Sequence, residues 1–244
     1  MCVDCENGGR ISSFIVDGHE LTIVGAASPL NWGIYPMVPF AGRLQNSLLK
    51  FEDRAAQLPA NMGPHAIHGY GFIRPWTVVD ESSIEFEFGE PWPWRGKATQ
   101  TFTLTDTLLT LTLRVEAVDR QPMQIGWHPW FRREVGNDHE MELDFEADKM
   151  FLRGDDGIPT GEMVPVPNGP RDDCFDDVQG NPRVSWGDLE LTLSSTLEQW
   201  TVFDEHPDGI CVEPQLGPPN ALNDAPFILD AGESMDAQFT ISWD

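Results

Sequence analysis

The segment TLLTLTLRVEAV (107–118) constrains the fold most tightly. Leu109, Leu111, Leu113, Val115 and Ala117 alternate without a break with Thr110, Thr112, Arg114 and Glu116. Period-two alternation over this length describes a strand with one face in a core and the other in water. SSIEFEF (82–88), MELDFEA (140–146) and MDAQFTISW (235–243) repeat the pattern. ISSFIV (11–16) and HELTIVGA (19–26) flank Asp17-Gly18, a two-residue signal for a type I′ hairpin. A second turn near Thr105-Asp106 joins ATQTFTL to the long strand. No segment carries a capped apolar 3-4-3-4 repeat, so any helix is expected to be short. Many strands without βαβ alternation predict an all-β chain, folded as a large antiparallel sandwich. Its 244 residues suit one domain, and neither a repeat nor a linker divides 1–244. The stretch 148–185, rich in Gly, Pro and Asp, is the exception; it is expected to be a long irregular segment.

Charge narrows the partners. Forty acidic residues stand against 15 basic ones, a net −25, and the only lysines are Lys50, Lys97 and Lys149. Such a surface repels nucleic-acid phosphates and anionic lipid, and neither is expected as a partner. It also disfavours polyanionic substrates unless arginines cluster locally. No stretch approaches the 18 apolar residues of a membrane span and no signal segment opens the chain, so a cytoplasmic location is expected. Cys2, Cys5, Cys174 and Cys211 do not make a dense disulfide framework; Cys2 and Cys5 have C-x-x-C spacing, but no second pair accompanies them, and they are expected to be a pair of reduced thiols.

GEPWPWRGKA (89–98) lacks the spacing and the Ser or Thr of a phosphate loop, and G-x-S-x-G, H-E-x-x-H and dinucleotide fingerprints are missing. His65 and His68 are three apart, but in a loop and without a carboxylate nearby, which disfavours a metal pair. Three segments remain: HAIHGYGF (65–72), GWHPWF (126–131) and CVEPQ (211–215). They supply His68 before Gly69 and Gly71, where a ligand could approach the backbone closely. They also supply His128 among aromatics and Glu213 at the end of a short strand. Each taken singly fits a plainer role, a satisfied buried histidine or a solvated glutamate. Two imidazoles and one carboxylate, if they converge, fit proton transfer that needs neither metal nor cofactor.

In order and in flanking residues these segments resemble the aldose 1-epimerases (galactose mutarotases), across nearly the whole chain. PMVPFAGRLQN (36–46) is similar to the family segment ending in Asn-Arg-Ile and places the substrate-binding arginine at Arg43. HAIHG is similar to its His-Gly motif, at His68, and GWHPWF to the segment carrying the catalytic acid, at His128. RDDCF (171–175) resembles the aspartate motif, at Asp172 or the adjacent Asp173, and CVEPQ the motif of the catalytic base, at Glu213. Gly42 stands where many members have Asn, and Trp130 where many have Tyr. The resemblance implies a galactose mutarotase-type β-sandwich that interconverts the α and β anomers of a free monosaccharide, with no cofactor and no metal. Glu213 would remove the proton on O1 and His128 protonate the ring oxygen, while His68, Arg43 and Asp172 hold the sugar. Trp32, Trp76 or Trp127 could supply a flat wall. Two alternatives stay open. A hexose-6-phosphate mutarotase would need cations, for which Arg43, Arg74 and Arg95 are available; a non-catalytic carbohydrate-binding sandwich would need no acid–base pair.

Overall fold

The structure, a computed structural model, describes residues 1–136 and 139–244. Two antiparallel sheets dominate it. Nine strands form the larger, in the spatial order Cys2–Asp4, Arg10–Ser13, Ile34–Met37, Gly126–Arg132, Gly209–Gln215, Gln199–Phe203, Asp172–Val178, Ala147–Arg153 and Pro159–Val164. Eight form the other, in the order Thr77–Asp80, Ser83–Glu87, Gly96–Leu104, Leu108–Ala117, Ser234–Trp243, Leu189–Ser195, Arg183–Trp186 and Glu142–Asp144. Among the described residues the α-helix is one turn, Ala221–Asp224, and none is long and apolar enough to cross a membrane.

The alternation in 107–118 is the core pattern it promised. Leu109, Leu111, Leu113, Val115 and Ala117 are buried, and Leu111 lies opposite Phe102 on one neighbouring strand and Phe239 on the other. They join residues of the larger sheet, among them Trp127, Phe131, Ile210 and Val212, in one apolar cluster. The polar Gln100 on this buried face is explained by its neighbours. Its carbonyl accepts the Trp127 indole N–H at 2.9 Å, and its amide donates to the Gly9 carbonyl at 2.9 Å. A buried indole donor needs such an acceptor. The Asp17-Gly18 hairpin forms with both residues at positive φ, 50° and 82°, as a type I′ turn requires.

The stretch 148–185 is not irregular. It contributes to Ala147–Arg153 and Arg183–Trp186, contains Pro159–Val164 and Asp172–Val178, and lies near the free edges of both sheets. Strands there expose parts of both faces; Val184 reaches the main core, and the others bury a satellite cluster around Met150, Phe175 and Val202. Cross-strand ion pairs such as Lys149–Asp177 (2.7 Å) replace the apolar alternation that a core strand would show.

Candidate active site

Antiparallel register assembles the site. Tyr35 lies opposite His128, and the flanking pairs Gly126–Gln215 and Trp130–Cys211 bring His128 level with Glu213. Glu213 in turn faces Thr201, and Thr201 faces Cys174. One residue from each of five adjacent strands thus forms a row across the larger sheet. Because side chains alternate, Trp127 and Phe131 point into the inter-sheet core while His128 and Trp130 take the opposite face. That face is covered by loops, so Gly126–Phe131 is buried on both sides, which accounts for its unbroken run of aromatic and small residues. Glu213 does not end its strand, which continues through Pro214 and Gln215.

His68 arrives from the covering loop. Arg43–Leu44 pairs with Ala66–Ile67, which holds Arg43 and His68 side by side, and the His68 N–H donates to the Gly42 carbonyl at 3.1 Å. His68 itself has φ 60°, an uncommon conformation outside glycine. Gly69 follows at φ 66°, and a Cβ there would stand 2.1 Å from the Val38 carbonyl oxygen. The glycine makes room for backbone rather than for a ligand, since the Val38 carbonyl accepts the N–H groups of Tyr70 and Gly71. His65 points elsewhere: its Nδ1 accepts the Asn46 N–H at 2.9 Å.

A cavity of about 260 Å³ opens over the row, lined among others by Arg43, His68, His128, Trp130, Asp172 and Glu213. All five site residues read from the sequence therefore converge. His128 Nε2 lies 3.2 Å from Glu213 Oε1, and the His68 and His128 rings meet edge to face with centroids 4.9 Å apart. Each of these three offers a potential metal-ligand atom, all within 4.8 Å of one another. Burial holds the pKa of His128 down at about 3, helped by the nearby Arg10 cation, and pushes His68 well below the usual imidazole range, aided by His128 and Arg43. Burial, with the Asp172 charge, raises Glu213 well above the usual carboxylate range, against an opposing pull from Arg43. The pair carries one proton whether written as carboxylate and imidazolium or as carboxyl and imidazole. Desolvation favours the neutral form.

On the cavity wall Arg43 donates to Asp172 at 2.8 Å, and Arg153 pairs with the same carboxylate oxygen while facing Asp173 at 3.4 Å. Asp172 lines the cavity, and Asp173 stands behind it on Arg153. Arg153, Thr201, Phe203 and His206 were not anticipated. The alternation of QWTVF places Thr201 and Phe203 on one face, but nothing in the sequence signals Arg153. Trp76 and Trp127 are core residues and Trp32 covers Arg10, so the aromatic surface at the cavity is Trp130 with Phe203 instead. Arg10 is wholly buried; its guanidinium donates to the carbonyls of Asn7, Pro29, Trp32 and Phe72 and lies 5.0 Å from the Tyr35 ring, which stacks on His128 at 4.7 Å.

A sequence model of the family described as aldose 1-epimerase matches residues 5–213, a span that includes all five of these residues. The chain belongs to the aldose 1-epimerase family. The Escherichia coli (strain K12) protein YphB is 30% identical over 136 residues, 52% of this chain; the match spans about half (47%) of that curated relative's length. A galactose mutarotase-like protein from Clostridium acetobutylicum superposes with a TM-score of 0.85 at 15% identity, over 99% of this chain and 91% of that one. Galactose 1-epimerase from Lactobacillus acidophilus NCFM gives 0.78 at 17% identity, over 98% and 89%. At these identities the likeness to the solved structures is one of fold. Where this aldose 1-epimerase family member departs from the common motifs, the geometry gives reasons. Gly42 has φ 64° and a Cβ there would meet Pro219 at 3.1 Å, while the Trp130 indole stacks on His128 and donates its N–H to the Leu30 carbonyl.

Proposed function

We propose that this chain is a mutarotase, interconverting the α and β anomers of a free aldose in a single catalytic domain. The observation that carries the reading is the 3.2 Å contact between His128 Nε2 and Glu213 Oε1 on the floor of a monosaccharide-sized cavity. Ring opening takes the proton from O1 and delivers one to the ring oxygen. Both oxygens are bonded to C1, so the two groups that serve them must stand side by side. Glu213 acts as base and His128 as acid. The sugar docks over the pair with O1 on Glu213 and the ring oxygen on His128, and its hydroxyls stabilise the charged form of the pair. The proton leaving O1 on Glu213 is balanced by the proton His128 gives the ring oxygen as the C1–ring-oxygen bond breaks. Rotation about C1–C2 and closure with the roles reversed yield the other anomer. Each positioned group contributes roughly 10²–10⁴-fold.

His68 donates to or accepts from the ring-side oxygens, and Asp172, oriented by Arg43 and Arg153, accepts from sugar hydroxyls; charge-assisted bonds make that grip directional. The same ion pairs favour a free sugar over a phosphorylated one. Arg43 and Arg153 are both engaged by Asp172, Arg95 is paired with Asp119 at 2.7 Å beside a different cavity, and Arg74 faces the Glu90 carbonyl. The test is polarimetry on freshly dissolved α-galactose and α-glucose. Accelerated equilibration of either, indifferent to millimolar hexose 6-phosphate, supports the reading. Sugar binding in a calorimeter without acceleration would establish a carbohydrate-binding module instead.

A further inference from the structure

We infer that His68, His128 and Glu213 also form a chelating site for a borderline divalent cation of the Zn²⁺ class, and that cation and sugar exclude one another from the cavity. Two imidazoles and a carboxylate are a ligand set that holds zinc while leaving a fourth position open. The geometry is near to what the ion requires. Ligands about 2.0–2.1 Å from a tetrahedral ion stand roughly 3.4 Å apart, and His128 Nε2 and Glu213 Oε1 are 3.2 Å apart already. The His68 donor completes a triangle with no side above 4.8 Å, so a shift of about 1.4 Å or less brings it to ligand spacing.

The three donors are not an exposed acidic cluster, in which carboxylates face one another without consequence. His68 and His128 are 6% exposed and Glu213 2%. His68 Nδ1, His128 Nδ1 and Glu213 Oε2 are buried without a hydrogen-bond partner among the described residues, so coordination disrupts little beyond the His128–Glu213 contact. The cavity supplies room for the open position, and a chain of net charge −25 concentrates cations around itself.

The same unpartnered nitrogens set the strength. A dedicated metal site fixes each ligating histidine by a second hydrogen bond from its other ring nitrogen, and neither imidazole has one here. The ion is therefore a reversible, micromolar-class inhibitor rather than a resident cofactor. Mg²⁺ and Ca²⁺, which take oxygen ligands, do not compete. The exclusion of sugar rests on the mutarotase reading; binding of the ion does not.

The experiment is a calorimetric titration of metal-stripped protein with ZnCl₂ and, separately, MgCl₂, in a Cys2→Ser, Cys5→Ser background that removes the N-terminal thiol pair. One Zn²⁺ per chain and no Mg²⁺ heat are expected. Co²⁺ in place of Zn²⁺ should give the intense visible absorption of a low-coordinate site. Glu213→Gln and His68→Gln, each checked for retained fold by circular dichroism, should weaken Zn²⁺ binding at least about 100-fold, since even outer-shell partners are worth 10–100-fold. Saturating galactose should weaken it in the parent. Zn²⁺ affinity unchanged in both variants overturns the site. Affinity lost in the variants but indifferent to every sugar tested overturns the exclusion alone. A parent that binds Zn²⁺ as described yet never accelerates mutarotation refutes the function proposed above and leaves the metal site standing.

Discussion

Replacing Arg10 by Met tests how a fully buried cation without a carboxylate partner is sustained. Its guanidinium donates to the carbonyls of Asn7 (2.6 Å), Pro29 (2.9 Å), Trp32 (2.7 Å) and Phe72 (2.7 Å), and sits 4.1 Å over the Trp32 ring. Hydrogen bonds to a charged group contribute about 1.5–3 kcal/mol each, which puts the four at roughly 6–12 kcal/mol. Burial opposes them: even with Tyr35 and Asp4 pulling it upward, the pKa falls from the ordinary 12.5 to about 10, a net penalty of roughly 3 kcal/mol on the charged form. The hydrogen bonds win. Arg10→Met should therefore cost at least about 3 kcal/mol, a large part of the 5–15 kcal/mol that holds a domain together. Urea unfolding followed by tryptophan fluorescence measures it. Arg114→Met is the internal control: that arginine is 44% exposed and pairs with Asp236 across the solvent face of the smaller sheet, a contact worth about 0–1 kcal/mol. If Arg10→Met unfolds within about 1 kcal/mol of the parent, the carbonyl cradle contributes nothing net and the reasoning is wrong.

Three further outcomes are expected. Because His128 in the folded chain titrates at about 3 rather than near 6.5, only the unfolded chain takes up that proton between those values; the His128 contribution to stability falls on acidification through this window, by up to about 1.4 kcal/mol per pH unit. Glu213, raised by burial, works oppositely and removes stability as pH climbs above 4.5. His128→Asn should flatten the acid side of a melting-temperature profile, and an unaltered profile would mean that the imidazole is not held neutral. Asp172→Asn frees Arg43 and Arg153, so KM for the sugar should rise about 10–100-fold from the loss of a charged acceptor while hexose 6-phosphate becomes an inhibitor; unchanged KM would remove Asp172 from the binding set. Finally, burial pushes the Cys174 thiol up to about 12 and Cys211 well above the usual thiol range, whereas Cys2 is exposed. Iodoacetamide at pH 8 should label the native chain at Cys2 and spare the two buried thiols, and mass spectrometry that finds Cys174 modified contradicts the packing around it.

What the sequence made legible follows from which interactions are periodic. Leu109 to Ala117 announce a strand because the pleat repeats every two residues, and the Asp17-Gly18 turn because only certain residues accept positive φ. His68, His128 and Glu213 stood out through their neighbours, and the register of adjacent strands then explains their meeting. The edge strands of 148–185 stayed hidden because half-exposed strands held by ion pairs carry no apolar period. Arg153 and Arg10 stayed hidden for another reason. Their partners are carboxylates and carbonyls brought together by the fold, and no local pattern in the chain records that. The tryptophans misled similarly: composition cannot say that Trp127 serves Gln100 while Trp130 lines the cavity.

The central claim, that Glu213 and His128 exchange protons with the sugar, meets its most direct test in the polarimetric rate of α-galactose and α-glucose equilibration by the parent and by Glu213→Gln. The substitution keeps shape and removes the base. A fall in rate of about 10²–10⁴-fold, with fold and sugar affinity retained, is the expected result. A Glu213→Gln protein that equilibrates the anomers as fast as the parent contradicts the account.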